Sequence, residues 1–194
     1  MVVRRKTTRL WLVCHAPTSA LRSTAFPADE TLEPGALERL RALAPQLRNA
    51  DYCWSSPALR AVETAQALGM RATIDPMLRD CDYGDWGGQN FDEVHARNPE
   101  AVGTWLSDPL SAPHGGESII ELIGRVATWL DIQRDVPGKT LAFTHASIIR
   151  AAVIHVLGAP ANSFWRVDIA PLSLTKLSRA GECWTLASIG EPLT

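Results

Sequence analysis

His15 follows a short apolar run, Leu10-Trp11-Leu12-Val13-Cys14, and precedes Ala16-Pro17-Thr18. A neutral imidazole is a competent nucleophile or proton carrier near neutral pH. His145 repeats the setting, after Leu141-Ala142-Phe143-Thr144 and before Ala146-Ser147. A third segment, Ser55-Ser56-Pro57-Ala58-Leu59-Arg60, places a serine–proline turn ahead of a helical pattern, with Arg60 about one turn in. The start of a helix offers free amide donors and the positive end of its dipole. An arginine fork there suits phosphate. Each feature alone is ordinary. Together, three segments predict an anion pocket with two imidazoles beside it.

The surrounding elements must bring these segments together. An apolar, β-branched run that breaks at a small residue and a proline reads as a buried strand entering a loop. In open α/β sheets, ligands bind outside the carboxyl ends of the strands. We expect strands at Arg9–Val13, Tyr52–Trp54, Arg71–Ile74, Thr140–Phe143, Leu172–Leu177 and Cys183–Ile189, the last two joined by a turn at Ala180-Gly181. Helical spacing marks Leu37, Leu40, Ala44 and Leu47 after Pro34, then Leu59, Val62, Ala65 and Leu68. One or two short helices fit Phe91 to Leu106, with a break at Pro99. Ile119, Leu122, Ile123, Val126 and Leu130 form a strongly amphipathic pattern, and Ile148 to Leu157 a last helix. Ser19–Glu33, Arg79–Asn90 and Pro109–Gly116 read as loops. Strands alternating with helices argue an α/β fold of three layers, α/β/α, with a mostly parallel central sheet. No repeat or linker divides the chain, so residues 1–194 are expected to form one domain.

Composition narrows the function. The chain has 194 residues, 46% of them hydrophobic, which suffices for a sizeable core. Nineteen basic residues against 21 acidic give a net charge of −2, so no global field favours nucleic acid or an anionic membrane. Arg4, Arg5, Lys6 and Arg9 read as a solvated N-terminal cluster. No apolar stretch approaches the roughly 18 residues that span a bilayer, and Leu10–Val13 is too short for a signal-peptide core. The expectation is a cytoplasmic protein. Cys14, Cys53, Cys81 and Cys183 lack metal-ligand spacing and read as free thiols, with neither metal nor cofactor implied. Seven tryptophans serve a core or a homodimer interface equally well.

The motifs, in chain order, resemble those of the histidine phosphatase superfamily, the phosphoglycerate-mutase-like proteins. The family's strand followed by Arg-His-Gly matches Cys14-His15-Ala16. Its Ser-Pro-x-x-Arg-Ala-x-x-Thr-Ala pattern matches Ser56-Pro57-Ala58-Leu59-Arg60-Ala61-Val62-Glu63-Thr64-Ala65. Leu78-Arg79-Asp80-Cys81-Asp82-Tyr83-Gly84-Asp85-Trp86-Gly87-Gly88 is similar to its acid-bearing stretch, Gly115-Gly116-Glu117-Ser118 to its Gly-Gly-Glu-Ser, and Thr144-His145-Ala146-Ser147-Ile148-Ile149-Arg150 to its second-histidine motif. The resemblance implies that His15 is the nucleophile and forms a phosphohistidine. It implies that Arg60 and His145 bind the phosphoryl oxygens, and that Asp80 is the general acid, with Asp82 the alternative. That role favours a raised carboxyl pKa. Thr18, Cys14 and Ala146 join Arg60 as expected phosphate-binding positions.

Cys14 is the main departure, standing where the family has an arginine. One lost charge-assisted contact is worth roughly 1.5–3 kcal/mol. Arg22 and Arg79 are candidates to compensate. A tyrosine-phosphatase-type role for Cys14 fails, because C-x5-R would need an arginine where Ala20 stands. Two readings of Cys14 stand side by side: a small strand-end residue, or a weakened and repurposed site. His114 reads as a loop histidine near substrate at most, and His155 as a core or interface residue. The leading expectation is a metal-independent phosphomonoesterase acting on a small phosphorylated metabolite. Mutase-type phosphoryl transfer and an impaired relative that binds a phosphorylated ligand or protein are the alternatives. The short span from Gly88 to Gly115 favours the phosphatase, since mutases of this family usually carry a longer insertion there.

Overall fold

The structure is a computed structural model that describes residues 7–36, 40, 47 and 49–193. Within these, six strands form one sheet: β1 (Thr8–Cys14), β2 (Tyr52–Ser55), β3 (Thr73–Ile74), β4 (Gly138–Thr144), β5 (Ser173–Arg179) and β6 (Thr185–Pro192). Their order is β3-β2-β4-β1-β5-β6. The first four are mutually parallel, while β5 runs antiparallel to both β1 and β6. The expected mostly parallel α/β sheet is present. β3 is shorter than expected, two residues in place of Arg71–Ile74, and β6 starts later and runs further than Cys183–Ile189.

Alternation along β1 explains the layers. Leu10, Leu12 and Cys14 face one core cluster, with Leu122, Val126, Trp129 and Ile149. Val13 faces the other, with Leu40, Leu47, Ala65, Leu68, Leu141 and Phe143. Successive strand residues point to opposite faces, so a strand apolar on both is buried on both. Helices α1 (Ser19–Arg22), α2 (Leu59–Ala67), α3 (Phe91–Arg97), α4 (Pro99–Ser107), α5 (Ile119–Gln133) and α6 (Ala146–Leu157) supply the covering layers. Much of the helix expected after Pro34 lies outside the described residues; its Leu40 and Leu47 are buried.

Three differences from expectation have local causes. Ser19–Glu33 is not all loop: Thr18 caps the short helix α1, its side chain accepting from the Leu21 amide. Of the expected face Leu59, Val62, Ala65 and Leu68, Ala65 and Leu68 are buried, but Leu59 is 41% exposed and Arg60, Ala61 and Thr64 are buried in addition. The first turn is rotated so that Arg60, in place of Leu59, enters the interior. His155 is exposed in the last turn of α6, where a basic ring complements the carbonyl end of the dipole, rather than lying in the core.

Phe26, Trp86, Val94, Val102 and Trp105 form a separate cluster that includes residues of α3 and α4. His114 lies in a loop, as expected, and its ring is buried against Trp86, Tyr83 and Trp105. The loop carrying His114 meets the Asp82–Trp86 turn through Asp85 N–H to His114 O (2.8 Å) and Glu117 N–H to Asp82 O (2.8 Å). A Cβ on Gly84 would overlap the His114 carbonyl, and Gly84 also holds a positive φ of 46°. Gly84→Ala is expected to cost about 2 kcal/mol or more in chemical denaturation. Gly103→Ala, in open space within α4, should instead stabilise by about 0.5–1 kcal/mol. Equal behaviour of the two variants would contradict this packing.

Candidate active site

The site is assembled by strand register. β1 and β4 pair from Thr8↔Gly138 to Cys14↔Thr144, so both strands end at the same level. His15 and His145 each follow directly. The His15 amide donates to the Thr144 carbonyl at 3.0 Å, and the Ser56 amide to the Phe143 carbonyl at 2.9 Å. The loops after β1, β2 and β4 are thereby zipped side by side. The His15 and His145 ring centroids lie 5.2 Å apart, edge to face.

Backbone contacts set the His15 tautomer. Its Nδ1 is 2.7 Å from the Ala16 carbonyl oxygen, which can only accept, so Nδ1 carries the hydrogen. In the neutral ring Nε2 then keeps its lone pair. Burial pushes the His15 pKa below its usual 6.5, with the Ala16 contact acting in the opposite sense. Burial likewise takes His145 down to about 3, against the pull of Asp80. His145 Nδ1 faces Asp80 Oδ2 at 3.3 Å, and its Nε2 is 2.7 Å from the Ser56 hydroxyl. Ser56 also accepts from the Ala58 amide at 3.2 Å. This serine was not singled out from the sequence as a contact of His145.

Arg60 enters from the first turn of α2 and is 2% exposed. Its Nη2 donates to Asp80 Oδ2 at 2.8 Å and its Nη1 to the Ala28 carbonyl at 2.6 Å, with Glu30 Oε2 at 3.7 Å. Thr64, one turn on, donates to the Arg60 carbonyl at 2.6 Å and accepts from the Ala16 amide at 3.0 Å, so α2 is tied to the loop that carries His15.

Asp80 is held from all sides. Besides Arg60, it accepts from the Cys81 amide at 2.9 Å and from the Ser147 hydroxyl. Burial alone would push its carboxyl up. His145, Arg60 and the Ser147 hydrogen bond outweigh that and hold it below the usual carboxylate range. The expectation of a raised pKa is thus reversed in the ligand-free protein, because the carboxylate is an ion-pair partner. Its segment is clamped by Arg125, which donates to the carbonyls of Met77 (2.7 Å), Arg79 (3.1 Å) and Asp80 (3.2 Å). Arg125 is itself fixed by a bidentate pair with Glu117 at 2.8 and 2.7 Å. Glu117 of the Gly-Gly-Glu-Ser stretch therefore acts at a distance on the placement of Asp80.

One pocket is lined by His15, Thr18, Arg60, Asp80, Ala146 and Ser147, with Trp105, Phe164, Trp165 and Tyr83 among its walls. Thr18 donates its hydroxyl to Glu30 at 3.2 Å. Cys14 does not line the pocket. It is 2% exposed in the core beneath, and burial pushes its thiol pKa up to about 12. As a phosphate-binding residue Cys14 is corrected: its side chain is too short and faces the core. Arg22 and Arg79 do not line the pocket either; Arg22 pairs with Glu33 and Arg79 lies 3.7 Å from Glu117. Asp82 stands outside too, accepting from the Gly84 amide at 2.9 Å. Glu30 and Arg150, which the sequence reading did not single out for the site, are part of the lining.

With this geometry in place, likeness to known proteins is decisive. The profile of the histidine phosphatase superfamily (branch 1) matches residues 10–192. The chain belongs to the histidine phosphatase superfamily. As a histidine phosphatase its enzyme class is that of a phosphoric monoester hydrolase. It is 27% identical over 193 residues to a Hydrogenobacter thermophilus protein named "Putative phosphoserine phosphatase 2", covering 94% of this chain and 95% of that one. It is 35% identical over 125 residues to a glucosyl-3-phosphoglycerate phosphatase of Mycolicibacterium vanbaalenii, spanning 57% of this chain and 55% of that one. A solved mycobacterial glucosyl-3-phosphoglycerate phosphatase in complex with VO3 superposes with a TM-score of 0.83 at 25% identity, covering 94% of this chain and 98% of that one. Among the described residues, no helix is long and apolar enough to cross a membrane.

The buried ionisable groups give stability a pH sign. A histidine with a depressed folded pKa binds a proton more readily when unfolded, so stability falls as pH drops below its usual 6.5 and continues to fall toward the folded value of about 3. A depressed carboxyl acts in the same direction, its contribution present above the ordinary carboxylate range and lost below it. We expect urea midpoints to decline steadily from about pH 7 to about pH 4, with a shallower slope in His145→Gln. An unchanged midpoint across that range would contradict the neutral, buried state of His145.

Proposed function

We propose that the protein is a phosphomonoesterase that works through a phosphohistidine on His15 and takes a small phosphorylated metabolite as substrate. The observation that carries this reading is the Nε2 of His15, left with its lone pair by the Nδ1 contact to the Ala16 carbonyl, in a pocket that Arg60 also lines and with the buried His145 ring 5.2 Å away.

Nε2 attacks phosphorus in line with the ester oxygen; the N–P bond forms as the P–O bond breaks. Arg60 and the His145 ring bind the equatorial oxygens, and Ser147 and the amide donors at the start of α6 add polar contacts. Asp80 supplies the proton to the leaving oxygen. It is charged in the ligand-free protein, but an incoming phosphoryl dianion changes its surroundings. The dianion competes for Arg60 and repels the carboxylate, and both effects raise the Asp80 pKa. In the second half, water attacks phosphorus, the N–P bond breaks, and Asp80 takes the water proton. The same carboxyl serves as acid and then as base.

The reading requires no metal, and its substrate follows the phosphatase names of two relatives only as far as the ester class. The test is hydrolysis of p-nitrophenyl phosphate in the presence of EDTA. Wild type should turn over, and His15→Ala should lose roughly a thousandfold or more while retaining its circular dichroism spectrum. Full activity in His15→Ala, or activity abolished by EDTA alone, would overturn the proposal.

A further inference from the structure

His114 is a buried histidine that the mechanism above does not use, and its two nitrogens have different surroundings. The Gly116 amide, which can only donate, lies 3.0 Å from Nδ1, so Nδ1 keeps its lone pair and the neutral ring carries its hydrogen on Nε2. Nε2 is buried without a hydrogen-bond partner among the described residues. The centroids of Trp86, Tyr83 and Trp105 stand 5.1, 6.2 and 6.2 Å from the imidazole centroid. Burial lowers the His114 pKa from its usual 6.5, against the opposing pull of Asp82. A buried donor left unpaired is a cost that an apolar ring in the same place would avoid. What an apolar ring lacks is the acceptor at Nδ1.

That acceptor latches the turn beside the acid. Gly116 precedes Glu117, and two loop segments meet here with no room for a side chain: a Cβ on Gly116 would stand 2.1 Å from the Asp82 carbonyl oxygen. The Cys81 thiol faces the Glu117 carbonyl at 3.5 Å. The Glu117 carboxylate accepts from Arg125 at 2.8 and 2.7 Å, and Arg125 donates to the carbonyls of Met77, Arg79 and Asp80. Contacts therefore run from the His114 ring through Gly116 and Glu117 to Arg125 and the backbone that carries Asp80. His114 itself does not line the pocket, whereas its ring neighbours Tyr83 and Trp105 do.

We propose that His114 is a positioning residue for Asp80: its Nδ1 latches the Gly115-Gly116-Glu117 turn, and Glu117, through Arg125, fixes where the acid stands relative to the leaving oxygen. This rests on the phosphatase reading above, with Asp80 as its proton donor, and adds to it a residue outside the pocket. A misplaced acid has a signature that a general loss of folded protein does not share. Proton donation matters for a leaving group of high pKa and little for one that departs readily as an anion.

The test measures kcat/KM, which covers the first phosphoryl transfer, for phenyl phosphate and 2,4-dinitrophenyl phosphate, esters with a poor and a good leaving group. Asp80→Asn should lose about a hundredfold or more on phenyl phosphate and much less on the dinitrophenyl ester. His114→Phe keeps a ring but removes the acceptor. It should lose about three- to tenfold more on phenyl phosphate than on the dinitrophenyl ester, the rate equivalent of one neutral hydrogen bond. His114→Asn, whose amide oxygen can take the place of Nδ1, should keep the wild-type ratio. A wild-type ratio in His114→Phe, an equal fall on both esters, or a selective loss of the same size in His114→Asn overturns the proposal. One measurement needs no variant to fold: in wild type near neutral pH, the nitrogen-15 shift of His114 Nδ1 should be that of an unprotonated nitrogen, and a protonated Nδ1 overturns the latch. Asp80→Asn without leaving-group selectivity breaks the acid assignment and this inference with it. Selectivity in Asp80→Asn but not in His114→Phe breaks the inference alone.

Discussion

The ion pair between Arg60 and Asp80 is the interaction on which the site depends. Arg60 is buried and Asp80 largely so, with 13% of its side chain exposed, and such a charge is tolerated only when its partner and its hydrogen bonds are held in place. Removing one partner of such a pair typically costs about 3–5 kcal/mol, because the other is left uncompensated. The surrounding structure is accordingly dense with restraints. Thr64 ties the Arg60 turn to the loop after β1. Arg125 and Glu117 fix the backbone on which Asp80 stands, and Thr144 holds the Leu78 carbonyl at 2.9 Å from β4. Glu117 and Thr64 thus serve geometry around Asp80 and Arg60, while His15 lines the pocket.

Under the proposed mechanism, the same pair explains how an ionised Asp80 could still donate a proton in turnover. The carboxylate is held low by His145 and by Arg60, the cation that a substrate phosphate would claim under the proposed mechanism. Substrate binding and acid activation are then one event. A phosphate arriving at Arg60 removes the stabilising partner of Asp80 and brings like charge beside it. Without a phosphoryl group the carboxyl stays ionised and the site lacks its acid.

The fold was legible in the sequence wherever the period was strong. The apolar runs ending at His15 and His145 gave both strand ends, and their parallel register supplied the contact between the two rings. Edges were less legible: β3 keeps only two residues, Thr73 and Ile74, paired with Trp54 and Ser55 of β2. The orientation of α2 could not be read from apolar spacing, since its interior face is led by Arg60, a charge buried by a partner twenty residues away. For the same reason the direction of the Asp80 shift escaped sequence reasoning. Cys14 was placed in the pocket by its neighbour in the chain, yet alternation along β1 sends its side chain into the core with Leu10 and Leu12. Ser56 and Arg150 each sit inside a motif that had been quoted, and only the tertiary fold turns them toward His145 and the pocket.

Covalent trapping reaches the central claim most directly. Rapid acid-free quench of the enzyme during turnover of a labelled phosphate ester, followed by peptide mapping, should find the label on His15, stable to base and lost in mild acid as a phosphoramidate is. In Asp80→Asn the labelled species should accumulate with an activated aryl ester, because the base for its hydrolysis is gone. Label on any other residue, or turnover with no covalent species in either protein, would contradict the account.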